Sequence, residues 1–253
     1  GTKFGQLSIS ESLHGPATQW AVENSESLDM VDVRGEIHVH SSLSWDSKGK
    51  IEDIVKAAKK NGVRWIIFTD HIGHLPIGAY PDEIDGVKLI YGQERAHRIG
   101  DKQCGSALRA SLKDPERSLE LYGHIEKYGD KGIGPYDRWD GIELVSFHAN
   151  ARKRLGNLLG KLITDPTDFY PMLTQPTSTN MEHWLWRSKQ EDRPIPIFAA
   201  PDAHQNMGIL GMQTDPYEFI FRMISTHIWI GRDEELNQAS IFKAIKLGRT
   251  YIA

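Results

Sequence analysis

The chain carries one cysteine, Cys104, among 253 residues. A single thiol excludes an intrachain disulfide and a thiolate zinc finger. Long apolar runs are also missing, so nothing approaches the ~20 residues of a membrane-spanning helix. Charge bias is small: 30 Lys and Arg against 34 Asp and Glu leave a net charge of -4, and no block of Lys and Arg breaks that balance. Bulk attraction to nucleic acid is therefore not expected. The chain opens Gly1-Thr2-Lys3 without methionine, which reads as an artificial boundary or a processed end. The compartment, cytoplasmic or exported, and the oligomeric state are not written in these features.

What is there fits one large domain. A chain of this length buries a core without staples, and 39% apolar with 25% charged residues is ordinary for a globular protein. Residues 1–34 are polar and weakly patterned, an N-terminal segment or linker ahead of a domain at 35–253. Residues 36–40 alternate like a short strand, and 41–49 form a polar loop. Ile51, Ile54, Val55 and Ala58 recur at helical spacing, and Asn61-Gly62 ends that helix. Residues 63–69 are almost continuously apolar, as in a strand buried on both faces of a parallel sheet. Further strands are expected at 87–91 (ending at Glu94), 141–145, 195–200 and 250–252, and helices at 181–190 and 240–247, the latter opened by Ser240 or Asn237. Residues 150–180 read as a long loop or insertion. Alternating strands and helices imply a parallel sheet, here closed into a barrel. Trp184, Trp186 and Trp229 are expected in the core. His14, His74, His183 and His227 are read as ordinary surface or core residues.

The polar residues gather at strand ends, where α/β barrels place their sites. His38 and His40 end the first strand, Asp70 and His71 the second, Glu94 the third, and Asp202 and His204 a late one. Two histidines separated by one residue on a strand point to the same face and can chelate one ion. Asp202 and His204 share that spacing. Histidine and carboxylate without thiolate suit Zn²⁺, Mn²⁺ or Fe, and Glu94 is the carboxylate expected to bridge two ions.

Residues 35–41, Ser44-Trp45-Asp46, Thr69-Asp70-His71, Gly92-Gln93-Glu94 and Pro201-Asp202-Ala203-His204 resemble the motifs of the polymerase-and-histidinol-phosphatase (PHP) superfamily. Residues 244–251 resemble the end of its stand-alone phosphoesterase-like members. The resemblance implies a distorted (β/α)7 barrel, two or three divalent metal ions (Zn, Mn or Fe) and hydrolysis of a phosphoester. By that resemblance His38, His40, Asp46, His71, Glu94, Asp202 and His204 are metal ligands, in a loop lengthened by Trp45 just before Asp46. A family histidine ordinarily follows the glutamate by a dozen residues; here only His97 is near, with Asp101 as its substitute. Another precedes a strand like 141–145. His124 is taken for it, without the family's following proline, and His148 is its rival. Asp70 is read as orienting a ligand, Asp70 and His97 as catalytic candidates, and Arg249 as an arm for an anionic group.

The expected reaction is hydrolysis of a small anionic phosphoester by a hydroxide bridging two metal ions. Its rivals are carboxyl ester, carbamate or amide hydrolysis on the same site, a single-strand nuclease disfavoured by the missing basic surface, and a non-catalytic metal-binding scaffold.

Overall fold

The computed structural model describes residues 29–72, 81–99, 102–110, 118–125, 139–151, 172–190, 195–206, 208–209, 212–213 and 215–253. His14, His74, Asp101 and most of 1–34 and 150–180 lie outside these. The strands are β1 (Met30–Val39), β2 (Trp65–Phe68), β3 (Glu83–Ile84), β4 (Val87–Ile99), β5 (Lys102–Ala110), β6 (Leu119–Gly123), β7 (Gly141–Ser146), β8 (Ile197–Ala200), a small hairpin of β9 (Gly208–Ile209) and β10 (Met212–Gln213), β11 (Thr226–Gly231) and β12 (Thr250–Ile252). The helices are α1 (Ile51–Lys60), α2 (Ser178–Gln190), α3 (Tyr217–Met223) and α4 (Gln238–Lys246).

Ten strands share one sheet, in the order β12-β11-β1-β2-β4-β5-β6-β7-β8 with β3 on β4. The sheet curls until its two sides meet. β11 covers β1 only as far as Gly35, so the free edge beyond it receives the segment after β8. There His40 N–H donates to the Ala203 carbonyl at 3.1 Å, Val39 bridges to Ala203, and Thr226 Oγ1 accepts from Ala199 N–H at 2.9 Å. The distorted barrel implied by the motifs is present, with additional strands. One source is β4, which does not stop at Glu94. Its first half pairs parallel with β2, and from Gly92 onward it pairs antiparallel with β5. Gly92 makes this switch feasible, because a Cβ there would lie 2.3 Å from the Arg109 carbonyl oxygen.

Two apolar layers follow from strand alternation. Val33, Ile37, Trp65, Ile67, Ile90, Leu121, Phe198 and Ile228 form the inner cluster, to which α4 adds Ile241, Phe242 and Ile245. Val39, Ile66, Phe68, Leu89 and Tyr91 form the outer one, under α1 and α3. Ile37 and Val39 should share a face at a period of two, yet they belong to different layers. The cause is a bulge: the β1–β2 register breaks between them, and His38 has φ +71°. The bulge resets the alternation, so that His38 and His40 turn into the barrel mouth directly above the inner core.

The helix expectations hold at α1, whose apolar stripe is buried, with Glu52 and Asp53 in its first turn and Lys59 and Lys60 in its last, matching the helix dipole. Asn237 opens α4 through a reciprocal capping box with Ser240. Trp186 and Trp229 depart from expectation: they are 48% and 40% exposed. His183 is buried, and His227 pairs with Asp32 at 2.9 Å.

Two stability predictions follow. A Cβ on Gly35 would fall 1.9 Å from the ring of the fully buried Trp65. Gly35→Val should therefore lower unfolding free energy by about 1–3 kcal/mol or more through overpacking, read by urea denaturation; an unchanged midpoint would contradict this packing. Asn237→Ala should cost about 1 kcal/mol through loss of the cap, seen in the same assay.

Candidate metal centre

All eight residues read as metal ligands converge at the barrel mouth. The ring of His38 presents Nε2 to Glu94 Oε2 at 3.1 Å and to Asp202 Oδ1 at 3.3 Å. His40 Nε2 lies 3.3 Å from the same Glu94 oxygen, and His71 Nε2 lies 3.4 Å from it. The other Glu94 oxygen faces His124 Nε2 at 3.3 Å. Asp46 Oδ2 stands between His204 Nε2 at 3.2 Å and His71 Nε2 at 3.4 Å. Three overlapping groups result that could each hold a metal ion: His40, Asp46, His71 and His204; His38, Glu94, His124 and Asp202; and His148, Asp202 and His204. Both His124 and His148 are therefore at the site.

The backbone is bent to achieve this. Among the described residues, the non-glycine residues with positive φ include His38 (71°), His124 (56°) and Asp202 (47°). Such conformations cost of order 1 kcal/mol or more each and persist where surrounding structure fixes them. Each follows or interrupts a strand, and each swings a side chain inward.

Glu143, which the sequence analysis passed over, is the main support. Its Oε2 accepts from His38 Nδ1 at 2.7 Å, leaving His38 Nε2 for the mouth. Its Oε1 accepts from the backbone N–H of His124 at 3.3 Å. Fixing an imidazole through its second nitrogen is the usual way a ligand ring is oriented. A glutamate in the apolar run 141–145, fully buried in the fold, was the available signal.

The electrostatics favour cations. Burial opposes charge on His38, but Asp202, Glu94 and Glu143 outweigh it and push the imidazole up to about 10. Burial and the neighbouring His204 and His38 pull His40 down to about 4. Burial works against ionised Glu94 and Asp202 too, yet His38 and the other imidazoles hold both well below the usual carboxylate range. In effect, a proton on His38 occupies the position of a cation amid three carboxylates. Both ring nitrogens of His40 and the Oδ1 of Asp202 are buried without a hydrogen bond; His40 Nε2 and Asp202 Oδ1, which face the other carboxylates and imidazoles of the mouth, are atoms a metal ion could take up.

Three other candidates stand apart from these groups. Asp70 does not touch a grouped ring; its oxygens accept from Ser41 N–H at 2.6 Å and Ser41 Oγ at 2.9 Å, so it pins the turn after His40. Burial raises its carboxyl to about 7. His97 lies outside all three groups and packs edge-on against Trp139 and Tyr122. Because β4 continues as a strand, the odd spacing from Glu94 sends His97 to the other face. Arg249 is at the wrong end of the barrel. Its carbonyl accepts from Trp229 N–H, and Trp229 pairs with Asp32, six residues and roughly 20 Å before His38 at about 3.3 Å per residue.

Comparison with known proteins gives a curated relative, a solved structure and a family model. A 123-residue stretch is 31% identical to a protein named tRNA pseudouridine synthase B from Nitrobacter winogradskyi, covering 46% of this chain and 34% of that one. Among solved structures, a lesion-specific endonuclease of Pyrococcus furiosus, PfuEndoQ, aligns with a TM-score of 0.47 and 15% identity, over 88% of this chain and 58% of its own. The chain thus spans about a third of the first protein and under two thirds of the second. The PHP domain model matches residues 36–244, a span that contains every grouped ligand, and the chain belongs to the PHP domain family.

Proposed function

We propose that the chain is a metal-dependent hydrolase acting on phosphoesters, with residues 35–253 as its catalytic domain. The observation that carries this reading is the convergence of buried imidazoles and carboxylates into three groups that could each hold a metal ion, with His40 Nε2 and Asp202 Oδ1 buried among them without a hydrogen bond. A buried polar atom left unsatisfied costs about 1–3 kcal/mol, and coordination removes that cost. The thiol-free donor set suits Zn, Mn or Fe. His40, Asp46, His71 and His204 would hold one ion, and His38, Glu94, His124 and Asp202 a second. His148 with Asp202 and His204 would hold a third. Two or three ions bound there would activate water near neutral pH and offset charge on a phosphoryl group.

The chain's own residues supply the frame. Glu94 joins the first two groups, and Asp202 and His204 tie them to the third. Glu143 keeps His38 Nε2 turned inward, and Asp70 locks the turn that carries His40. The mouth opens on one side: the His71 side chain is 29% exposed and that of Asp46 15%, against 0% for His38 and His40. An anionic ester would approach there. The expectation that nucleic acid is excluded is not kept, because it rested on whole-chain charge, and cations held by these ligands would supply local positive charge at this mouth.

The direct test is metal analysis of protein purified without chelators, with turnover of an aryl phosphate measured on the same sample. Two or three Zn, Mn or Fe per chain, with activity lost to chelator and restored by metal, is the expected result. Folded protein that takes up no metal would overturn the reading, and turnover restricted to carboxyl esters would redirect it. Asp202→Asn should remove metal and turnover together. Glu143→Gln should weaken metal affinity by about 10- to 100-fold, measured by competition with a chelating dye. Metal uptake should also release protons. His38 must lose its proton to ligate, and its raised value of about 10 keeps that proton on at pH 7. Uptake should therefore release about one proton from His38 near neutrality and strengthen as pH rises toward 10. His40, already neutral above about 4, adds no proton there. Calorimetry in buffers of different ionisation enthalpy reads this directly; no released proton would contradict the electrostatic account.

A further inference from the structure

We propose that Trp45 is a stacking platform for the base of a nucleotide-type phosphoester, a role that rests on the hydrolase reading for its phosphate and on separate geometry for its ring. Trp45 is 83% exposed, the largest exposure among the large hydrophobic side chains described. Leaving an indole in water forgoes the gain from burying a large apolar ring, so its position calls for a reason. The loop around it does not set it adrift. Ser44 is buried; its hydroxyl donates to Asp46 Oδ1 at 2.6 Å and accepts from His71 N–H at 2.9 Å. Ser42 N–H donates to the Gly49 carbonyl, and Ser47 N–H to that of Ser44. Trp45 is therefore held between two fixed residues, directly before Asp46, at the exposed side of the mouth.

Its ring is also aimed. The indole lies 5.9 Å from the His71 ring, at an interplanar angle of 25°. A nearly parallel aromatic beside the most open ligand offers a flat apolar face next to where a phosphoryl group would bind. Purine and pyrimidine rings stack on such faces with little regard to sequence, which suits a free nucleotide and the end of a single strand equally. Sugar phosphates without a base have nothing to place there.

The test compares adenosine 5′-monophosphate with ribose 5-phosphate by calorimetry on metal-loaded wild-type, Trp45→Ala and Trp45→Phe proteins. The wild type should prefer the nucleotide, and Trp45→Ala should lose about 5- to 150-fold of that preference. Trp45→Phe should retain most of it. Because Trp45 is exposed, neither variant empties the core, and circular dichroism checks the fold. Adding a 5′-phosphorylated single-stranded oligonucleotide distinguishes the source: tighter binding than the mononucleotide points to strand ends, equal binding to free nucleotides. Equal preference in wild type and Trp45→Ala, or binding of neither ligand, overturns the proposal. Turnover of a phosphoester lacking a base, with no nucleotide preference, sinks the stacking role alone. Nucleotide preference without turnover of any phosphoester sinks the hydrolase reading alone.

Discussion

The site depends on one buried carboxylate. Glu94 lies amid four imidazoles from the ends of β1 and β6 and the loop after β2, and both of its oxygens are engaged. A charge in that position is tolerable only with positive charge beside it. Among the described residues at the mouth no Lys or Arg provides it, so the compensation comes from protonated histidine or from bound cations. The rest of the architecture serves that balance. The hairpin half of β4 begins at Gly92 and so holds Glu94 in continuous strand, while the bulge at His38 turns two rings toward it.

Barrel and site differ in how far they could be read from residues alone. The His38-Val39-His40 and Asp202-Ala203-His204 pairs were legible because a period of two fixes which side chains share a face. The bulge at His38 was not, since the reversal of inner and outer layers depends on a register break with β2. It leaves no mark in the amino-acid types. Strand β5 was missed because its small and polar residues carry no alternating pattern; its partner across the hairpin determines it. The same omission displaced His97, since taking Glu94 as a strand end hid the face change three residues on.

Glu143 and Arg249 show complementary failures. A lone glutamate in an apolar strand has two readings, solvent-facing or buried and paired, and only the position of His38 across the barrel separates them. Arg249 opens a strand, as many anion-binding arginines do. The direction of that strand follows from β11 pairing back along β1, which puts it at the far end. In both cases the deciding partner is more than 20 residues away in sequence.

The barrel's seam also has a consequence for folding. The contact between His40 and Ala203 that closes the sheet lies between the ligands of β1 and those following β8. An ion shared by His40 and His204 would therefore span the seam as a cross-link between two segments separated by most of the domain. Such a clip lowers the entropy of the open chain far more than one joining near neighbours. The ligands would then act as a latch, and loss of the ion would loosen the two edges of the sheet as well as silence the chemistry.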